Sequence, residues 1–234
     1  MKRLGSQWVT PTLWHGDVLP AEPCWSTPFV VKSRHGCNQR VFVRSDAEDW
    51  PKLRRKAERW MTAPYGRWLD EWAYCNIPRG IIVEPFIGTA GRLPVDWKLF
   101  VFGGRVRFVQ GHLEREHNHR WIVMDRTWHR ASARSDEPDP ERPHTMDAMI
   151  AAAEKLGDRF DFVRVDFYEV EGTPRFGEMT FYPGSGLDRF DPVSLDAMMG
   201  REWLQAASAS EQPTDPVSIS PTTPEPHRTF AVNR

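Results

Sequence analysis

Apolar and polar side chains alternate with the period of a β-strand along residues 161–186, which predicts two strands joined by a turn at residues 172–174. In the first strand, Val163, Val165 and Phe167 share one face. The opposite face carries Phe162, Arg164, Asp166 and Tyr168. In the second strand, predicted over residues 175–181, one face carries Phe176, Glu178 and Thr180.

Charged side chains on these two strands are costly to bury unless a charged ligand accompanies them. Asp166 and Glu178 are carboxylates on paired strands, and Mg²⁺ takes a few protein oxygens while leaving the rest of its shell to phosphates and water. The pattern therefore predicts a cradle for Mg²⁺ at this hairpin.

The rest of the chain predicts a mixture of strands and helices. The predicted strands are a short one at residues 12–14, a hairpin over 28–43, a strand at 80–88 and a hairpin over 93–110 around Gly103 and Gly104. The predicted helices cover residues 45–61, 66–74, 146–156 and 192–207. For the first helix, Ser45 and Asp49 are alternative caps and Pro51 falls in the first turn. Residues 131–144 are rich in proline and charge, which predicts an exposed mobile loop.

Composition narrows the class of protein. The 234 residues carry a net charge of −1, which gives no basic surface for nucleic acid. No apolar run approaches the ~20 residues that span a bilayer, and three cysteines without zinc or redox spacing favour a reducing, cytoplasmic location. The eleven tryptophans are scattered and favour core packing over an aromatic binding platform.

The motif R-x-D-x-Y, a hairpin, and then G-E-x-T-x-x-P-G-S-G resembles the metal-binding end of the ATP-grasp fold. That fold usually has R-x-D…E-x-N-x-x-P-G. Thr180 in place of the asparagine is similar to the TupA-like branch, which is named for a teichuronopeptide biosynthesis protein. The resemblance covers about residues 10 to 205. It implies an α+β fold whose two lobes, with mainly antiparallel sheets, enclose a nucleotide cleft and bind ATP and Mg²⁺.

Within this resemblance, Asp166 and Glu178 are the implied metal ligands. The hydroxyl of Thr180 can bind a phosphate or a metal-bound water, which leaves the number of metals open. V-V-K-x-x-x-G matches the family's strand lysine and glycine-rich loop, so Lys32 and Gly36 are implied phosphate contacts, with a further hydrogen bond from His35. Without the resemblance, a surface hairpin with an exposed lysine is the favoured interpretation of the same segment.

Two further stretches match the nucleotide site. V-E-x-x-I-x-G resembles the hinge between lobes, where Glu84 and the N–H of Phe86 or Ile87 would take adenine. A strand-end glutamate in water is the alternative. D-x-K-x-x-V-x-G resembles the strand on which Asp96 reaches ribose and Lys98 reaches phosphate.

The histidine-rich tract at residues 112–120 lacks the cysteines or H-E-x-x-H spacing of a zinc site. Arg115 and His119 match an Arg and a His that follow this hairpin in the TupA-like branch, and a cationic loop suits an anionic substrate. A plain polar loop is the alternative. Arg164 is the implied stabiliser of the oxyanion.

The predicted domains are a loop-rich N-terminal segment at 1–27, a small lobe at 28–84, a large lobe at 85–207 and a disordered Ser/Thr/Pro-rich tail at 208–234. A complete ATP-grasp protein normally has a further N-terminal substrate domain. We therefore expect a reduced substrate site, or completion by a missing segment, a homodimer or a partner subunit.

The function that the resemblance implies is an ATP-dependent carboxylate–amine ligase that forms an acyl phosphate, in the setting of cell-surface polysaccharide modification. A kinase that uses the same nucleotide site on a hydroxyl group is an alternative. A nucleotide-binding or partner-binding subunit without turnover is another.

Overall fold

The computed structural model describes residues 4–62, 65, 71–89, 92–116, 118–133 and 138–210 of the chain. These residues form two antiparallel sheets and three α-helices, which confirms the predicted α+β class. Among them, no helix is both long and apolar enough to cross a membrane.

The smaller sheet has four strands in the order β1-β4-β2-β3. They are β1 (Trp14–Gly16), β2 (Phe29–Ser33), β3 (Arg40–Val43) and β4 (Ile81–Pro85). The hairpin predicted over residues 28–43 is present as β2 and β3. Strand β1 comes from the predicted loop-rich segment, and it pairs with β4 as an edge of this sheet.

Helix α1 (Trp50–Thr62) packs beside the small sheet and begins five residues later than predicted. The reason is that Asp49 caps it: its Oδ1 accepts the backbone N–H of Lys52 at 2.9 Å. Pro51 lies in the first turn as expected. The buried residues Leu53, Ala57 and Trp60 join Phe29, Val31 and Val83 in the core of this lobe.

The larger sheet has five strands in the order β7-β6-β5-β8-β9. They are β5 (Asp96–Phe102), β6 (Arg105–Leu113), β7 (Arg120–Asp125), β8 (Phe162–Val170) and β9 (Thr173–Thr180). Gly103 and Gly104 form the β5–β6 turn with φ of 51° and 74°, as predicted. The β8–β9 turn is at Glu171 and Gly172, also with positive φ, so both strands are longer than predicted.

Two helices cover this sheet, one on each face. Helix α2 (Met146–Gly157) packs against the apolar side chains of one face, which include Leu99, Val101, Val163 and Val165. Helix α3 (Val193–Ser210) covers the apolar end of the opposite face, where Phe100, Phe102, Phe108 and Phe162 meet Leu195 and Met199. Polar side chains of the strands occupy the rest of that second face.

A bulge in β9 interrupts the alternation of faces that was predicted for this strand. Asp166 pairs with Glu178, but the next pair is Phe167 with Phe176, so Gly177 is left over. Phe176 therefore does not share a face with Glu178; it packs against the core under α2 and its ring lies 6.0 Å from that of Phe167.

Several predictions fall partly outside the described residues. Of the helix predicted at 66–74, residues 66–70 lie outside them, and Trp72–Tyr74 form a single 3₁₀ turn. Residues 134–137 of the predicted mobile loop are likewise not described. Helix α3 continues to Ser210, three residues into the predicted tail, and residues 211–234 lie outside the described residues.

Candidate nucleotide and metal site

A row of charged residues crosses the polar end of the second face. The register pairs Lys98 of β5 with Asp166 of β8, and Asp166 with Glu178 of β9. Because directly opposed residues have Cβ atoms about 4.5–5.5 Å apart, this register brings the three side chains together. We call Lys98, Asp166 and Glu178 the charged row.

Asp166 is the centre of the row and is 1% exposed. Its Oδ2 accepts hydrogen bonds from Lys98 Nζ at 2.5 Å and from Arg164 at 2.8 Å, and its Oδ1 accepts one from Arg164 Nε at 2.7 Å. Burial alone would raise the pKa of Asp166, but the charges of Lys98 and Arg164 outweigh it and hold that pKa below its usual value. The carboxylate is therefore ionised and clamped between two cations.

Arg164 also connects Asp166 to the next strand. It donates to the hydroxyl of Thr180 at 3.0 Å and lies 3.5 Å from Glu178. The Thr180 hydroxyl donates to Glu178 at 3.3 Å. The side chain of Glu178 is 62% exposed, so this carboxylate stands at the open side of the row.

The oxygen donors of Asp166, Glu178 and Thr180 fit a hard divalent cation whose remaining ligands are phosphate oxygens and water. Among the described residues, no group of three or more His, Cys, Asp or Glu side chains could hold a metal ion. Asp166, Glu178 and Thr180 supply oxygen donors, and Mg²⁺ is commonly bound by one or two carboxylates plus phosphate oxygens and water. Such an ion would have to share Asp166 with Lys98 and Arg164.

Asp96, the predicted ribose contact, lies in the same network and is not open to a ribose in this structure. It is buried, and its Oδ2 is 3.0 Å from both Lys98 Nζ and Arg115. Burial raises the pKa of Asp96 in spite of the adjacent Lys98 charge. Arg115 in turn lies over the Tyr168 ring at 5.6 Å. In this structure Asp96 joins the loop after β6 to the charged row.

His119, a predicted catalytic residue, lies in that same loop and is close to His112 of β6. Their Nε2 and Nδ1 atoms are 2.9 Å apart. No role is predicted for His112 from the sequence. The pairing of β5 with β6 could have drawn attention to His112, because this residue is the direct cross-strand partner of Asp96.

In the small sheet, the predicted nucleotide residues Lys32 and Glu84 pair with each other. Lys32 Nζ is 2.6 Å from Glu84 Oε2, and the lysine side chain is 38% exposed. The two residues are on adjacent strands, two positions out of register, because Lys32 is opposite Ile82. A phosphate would therefore compete with Glu84 for the ammonium group.

His35 does not fit its predicted contact with phosphate. It is buried, its Nε2 is 2.9 Å from the carbonyl oxygen of Trp60, and its Nδ1 accepts the N–H of Gly80 at 3.4 Å. Both ring nitrogens are thus engaged inside the lobe, and His35 has a structural role.

Two backbone donors of the predicted nucleotide site are also engaged. The N–H of Gly36 donates to the Ser33 hydroxyl at 3.1 Å. The N–H of Phe86 donates to the carbonyl of Pro28 at 3.1 Å. Of the two predicted adenine donors, Ile87 is therefore the candidate that remains, and Gly36 would contact phosphate only after its hydrogen bond to Ser33 is released.

Contacts between the segments of the two sheets flank the site. Arg44, which follows β3, forms an ion pair with Glu116 of the loop after β6. The hydroxyl of Tyr74 accepts the N–H of Phe181, one residue beyond β9, at 3.0 Å. The loop after β6 thus contacts the small-sheet segment and the charged network at once.

A comparison with family models identifies the family of the chain. A model of the TupA-like ATP-grasp family matches residues 11–204. The chain therefore belongs to the TupA-like ATP-grasp family, which confirms the predicted resemblance. No curated protein matches the chain.

Several solved structures resemble the chain at low sequence identity. D-alanine–D-alanine ligase from Bacillus anthracis is 11% identical with a TM-score of 0.46, covering 88% of this chain and 64% of that one. The same enzyme from Helicobacter pylori is 14% identical with a TM-score of 0.41, covering 80% and 48%. The ATP-grasp ligase PsnB, solved with Mg and ADP, is 12% identical with a TM-score of 0.38, covering 75% and 46%. The chain thus spans less than two thirds of their length.

Proposed function

We propose that the chain is an ATP- and Mg²⁺-dependent ligase that joins a carboxylate to an amine through an acyl phosphate. The observation that carries this proposal is the charged row together with Arg164. The buried carboxylate of Asp166 is held by Lys98 and Arg164, and the exposed carboxylate of Glu178 lies beside it. Membership of the TupA-like ATP-grasp family supports it.

The nucleotide would lie between the small sheet and the charged row. Lys32 and Lys98 would offset the charge of the triphosphate, with the loop around Gly36 closing over it. Glu84 and the N–H of Ile87 would contact adenine. Phosphoryl transfer needs little covalent help from a protein, but it does need positioning and neutralisation of charge in a site that excludes water.

Asp166 and Glu178 would hold Mg²⁺, with the Thr180 hydroxyl contacting a phosphate or a metal-bound water. When bound, the ion supplies neutralisation of charge on the transferring phosphoryl group. Arg164, which already donates to Asp166 and Thr180, would stabilise the oxyanion that forms when the amine attacks the acyl carbon.

The acid substrate would lie toward the loop after β6. Arg115, a half-buried cation of that loop, contacts Asp96, and Arg164 is a buried cation of the same network. A guanidinium suits carboxylate and phosphate groups. From the family resemblance, we propose components of cell-surface polysaccharides as the source of the acid or amine.

A screen for ADP release tests the proposal. The purified chain is incubated with Mg²⁺-ATP and panels of acids and amines, alone and in pairs, and the products are analysed by mass. The ligase proposal expects ADP only with an acid, and an amide product when an amine is added. A phosphorylated sugar would identify a kinase instead, and ATP binding without turnover would identify a binding subunit.

A further inference from the structure

A buried glutamate between α1 and β4 lacks a partner. Glu71 directly precedes the 3₁₀ turn Trp72–Tyr74 and is 4% exposed. Its Oε2 has no hydrogen-bond partner within the described part of the chain, and the residue takes part in no ion pair there. A buried carboxylate is costly without a cation or a hydrogen-bond donor. Glu71 therefore calls for a group that these residues do not supply.

Three tyrosine rings lie beside this glutamate. The ring centroids of Tyr65 and Tyr74 are 6.3 Å apart, and those of Tyr74 and Tyr182 are 5.5 Å apart. The backbone N–H of Tyr74 donates to the carbonyl oxygen of Glu71 at 3.0 Å, which holds the glutamate next to the middle ring. All three tyrosines are half-buried, so part of each is open to a ligand. We call Glu71, Tyr65, Tyr74 and Tyr182 the aromatic corner.

The carboxylates give the aromatic corner a negative potential. Burial, followed by a neighbouring thiol and by Glu71, raises the pKa of Tyr65 to about 12. Burial also raises the pKa of Tyr74; two backbone N–H groups oppose this shift, and the charges of Glu71 and Glu178 add to it. Both carboxylates therefore lie near the Tyr74 hydroxyl. Arg164 lies 3.5 Å from Glu178, but Glu71 has no such cation in the described part of the chain.

The aromatic corner adjoins the charged row on one side. The Tyr74 hydroxyl accepts the N–H of Phe181, the residue after Thr180, at 3.0 Å. The corner thus meets the row at β9, whereas Arg115 meets the same network at β5, two strands away. An acid that approaches from the Arg115 side leaves the β9 side for the second substrate.

We propose that the aromatic corner binds the amine substrate in its ammonium form. This inference rests on the proposed ligase function and names the chemistry of the second substrate, an amine that carries a positive charge at neutral pH. The carboxylate of Glu71 accepts hydrogen bonds from the ammonium group, and such charge-assisted bonds are stronger than neutral ones. The faces of the tyrosine rings attract a cation within about 6 Å of their centroids.

A second divalent metal fits the aromatic corner less well than an ammonium ion does. Mg²⁺ requires near-octahedral oxygen ligands and loses its water reluctantly. In the part of the chain that the structure describes, no group of three or more His, Cys, Asp or Glu side chains could hold a metal. An organic ammonium ion is more weakly hydrated and gains from contact with aromatic rings.

Nuclear magnetic resonance of the ¹³C-tyrosine-labelled full chain tests the site without turnover. The chain has four tyrosines, and Tyr168, whose ring lies under Arg115, is the one outside the corner. Titration with n-butylammonium chloride at constant ionic strength should shift the ring signals of the three corner tyrosines to saturation and leave those of Tyr168 unchanged. The neutral analogue n-butanol should produce no saturating shift.

Glu71→Gln should weaken the affinity for n-butylammonium about tenfold, because the amide removes a charge-assisted hydrogen bond. The variant keeps the shape of the side chain and removes an uncompensated buried charge, so it should remain folded. Glu58→Gln, at an exposed glutamate of α1, is the matched control. Corner signals that do not move, or that move equally in Glu71→Gln, would overturn the site. Saturating shifts with MgCl₂ that Glu71→Gln abolishes would identify a metal site instead.

Kinetics tests whether the aromatic corner serves the ligase. With the acid and amine found by the ADP screen, Glu71→Gln should raise KM for the amine about tenfold and leave KM for ATP unchanged. Hydroxylamine is largely uncharged at neutral pH, so it does not need the carboxylate and should form hydroxamate at nearly the wild-type rate. A merely structural role of Glu71 would impair both reactions alike.

The same assays distinguish failure of this inference from failure of the ligase proposal. If the wild-type chain forms the amide and Glu71→Gln has an unchanged KM for the amine, the amine site is refuted and the ligase stands. If the wild-type chain forms neither amide nor hydroxamate with any acid, the ligase is refuted, and the tyrosine titration still decides whether the corner binds an ammonium ion.

Discussion

Asp166 and Glu178 are direct cross-strand partners, yet their exposures differ strongly: the side chain of Asp166 is 2% exposed and that of Glu178 is 62% exposed. One carboxylate is fixed by two cations inside the sheet, while the other reaches the open side of the row. A divalent ion bound between them would have one rigid ligand and one adaptable ligand.

Asp166→Asn should abolish ADP production and destabilise the fold by about 3 kcal/mol, since it leaves Lys98 and Arg164 buried without their anion. Urea unfolding and the ADP assay measure the two effects. Glu171→Gln, at the tip of the same hairpin, removes an exposed carboxylate and is the matched control. ADP production that survives in Asp166→Asn would refute the assigned metal role.

Lys32→Met should weaken ATP binding at least about tenfold, because a hydrogen bond to a charged group is worth roughly 1.5–3 kcal/mol. The free energy of unfolding should change by less than about 1 kcal/mol, since the pair with Glu84 is partly exposed. Titration calorimetry with a non-hydrolysable ATP analogue measures the affinity. Lys52→Met, on the exposed side of α1, controls for loss of a positive charge; equal affinities in the two variants would argue against a phosphate contact at Lys32.

Gly177→Ala should impair turnover by displacing Glu178 from Asp166. An added Cβ would lie 3.1 Å from the Tyr168 ring and 3.2 Å from the backbone oxygen of Asp166, so the bulge must shift. We expect a loss of about 1–3 kcal/mol in stability together with most of the activity. At Gly200, inside α3, an added Cβ would meet no atom within 4 Å beyond the neighbouring helix backbone. Gly200→Ala should therefore stabilise the protein by up to about 1 kcal/mol.

Thermal melting and ADP release compare these two glycine variants. Wild-type turnover and stability in Gly177→Ala would contradict the expected displacement of Glu178.

The free energy of unfolding should fall as the pH is lowered from about 6.5 toward 3. Burial and the cations around His112 lower its pKa to about 3, whereas the unfolded chain protonates this histidine near its ordinary pKa. Between the two values the unfolded state binds more protons, so acid favours unfolding.

His112→Asn should reduce this slope by about one proton per molecule, measured by urea unfolding at several pH values. His144→Asn, at an exposed histidine before α2, is the matched control. A slope in His112→Asn equal to that of the wild type would mean that His112 titrates normally in the folded protein.

Local rules predicted the parts of the site that depend on strand geometry. The period of two in β8 places Arg164 and Asp166 on one face, and Gly103 and Gly104 fix the β5–β6 turn. The position of Phe176 could not be predicted this way, because a one-residue bulge at Gly177 reverses the faces of the strand beyond it.

The partners of several predicted residues come from distant segments, and no local pattern encodes them. His35 contacts Trp60 across 25 positions, and Phe86 donates to Pro28 across 58 positions. The Asp96–Arg115 pair depends on how the loop after β6 folds back over the sheet. The sequence therefore indicates chemically suitable residues, but not which of their polar groups already have partners within the fold.

The most direct test of the proposed acyl phosphate is isotope transfer from an ¹⁸O-labelled acid that stimulates ADP release. During turnover with ATP, Mg²⁺ and an amine, the account predicts that one ¹⁸O atom per amide formed appears in inorganic phosphate, because the acid oxygen leaves with the phosphoryl group. Unlabelled phosphate, or a phosphate ester as the product, would contradict it.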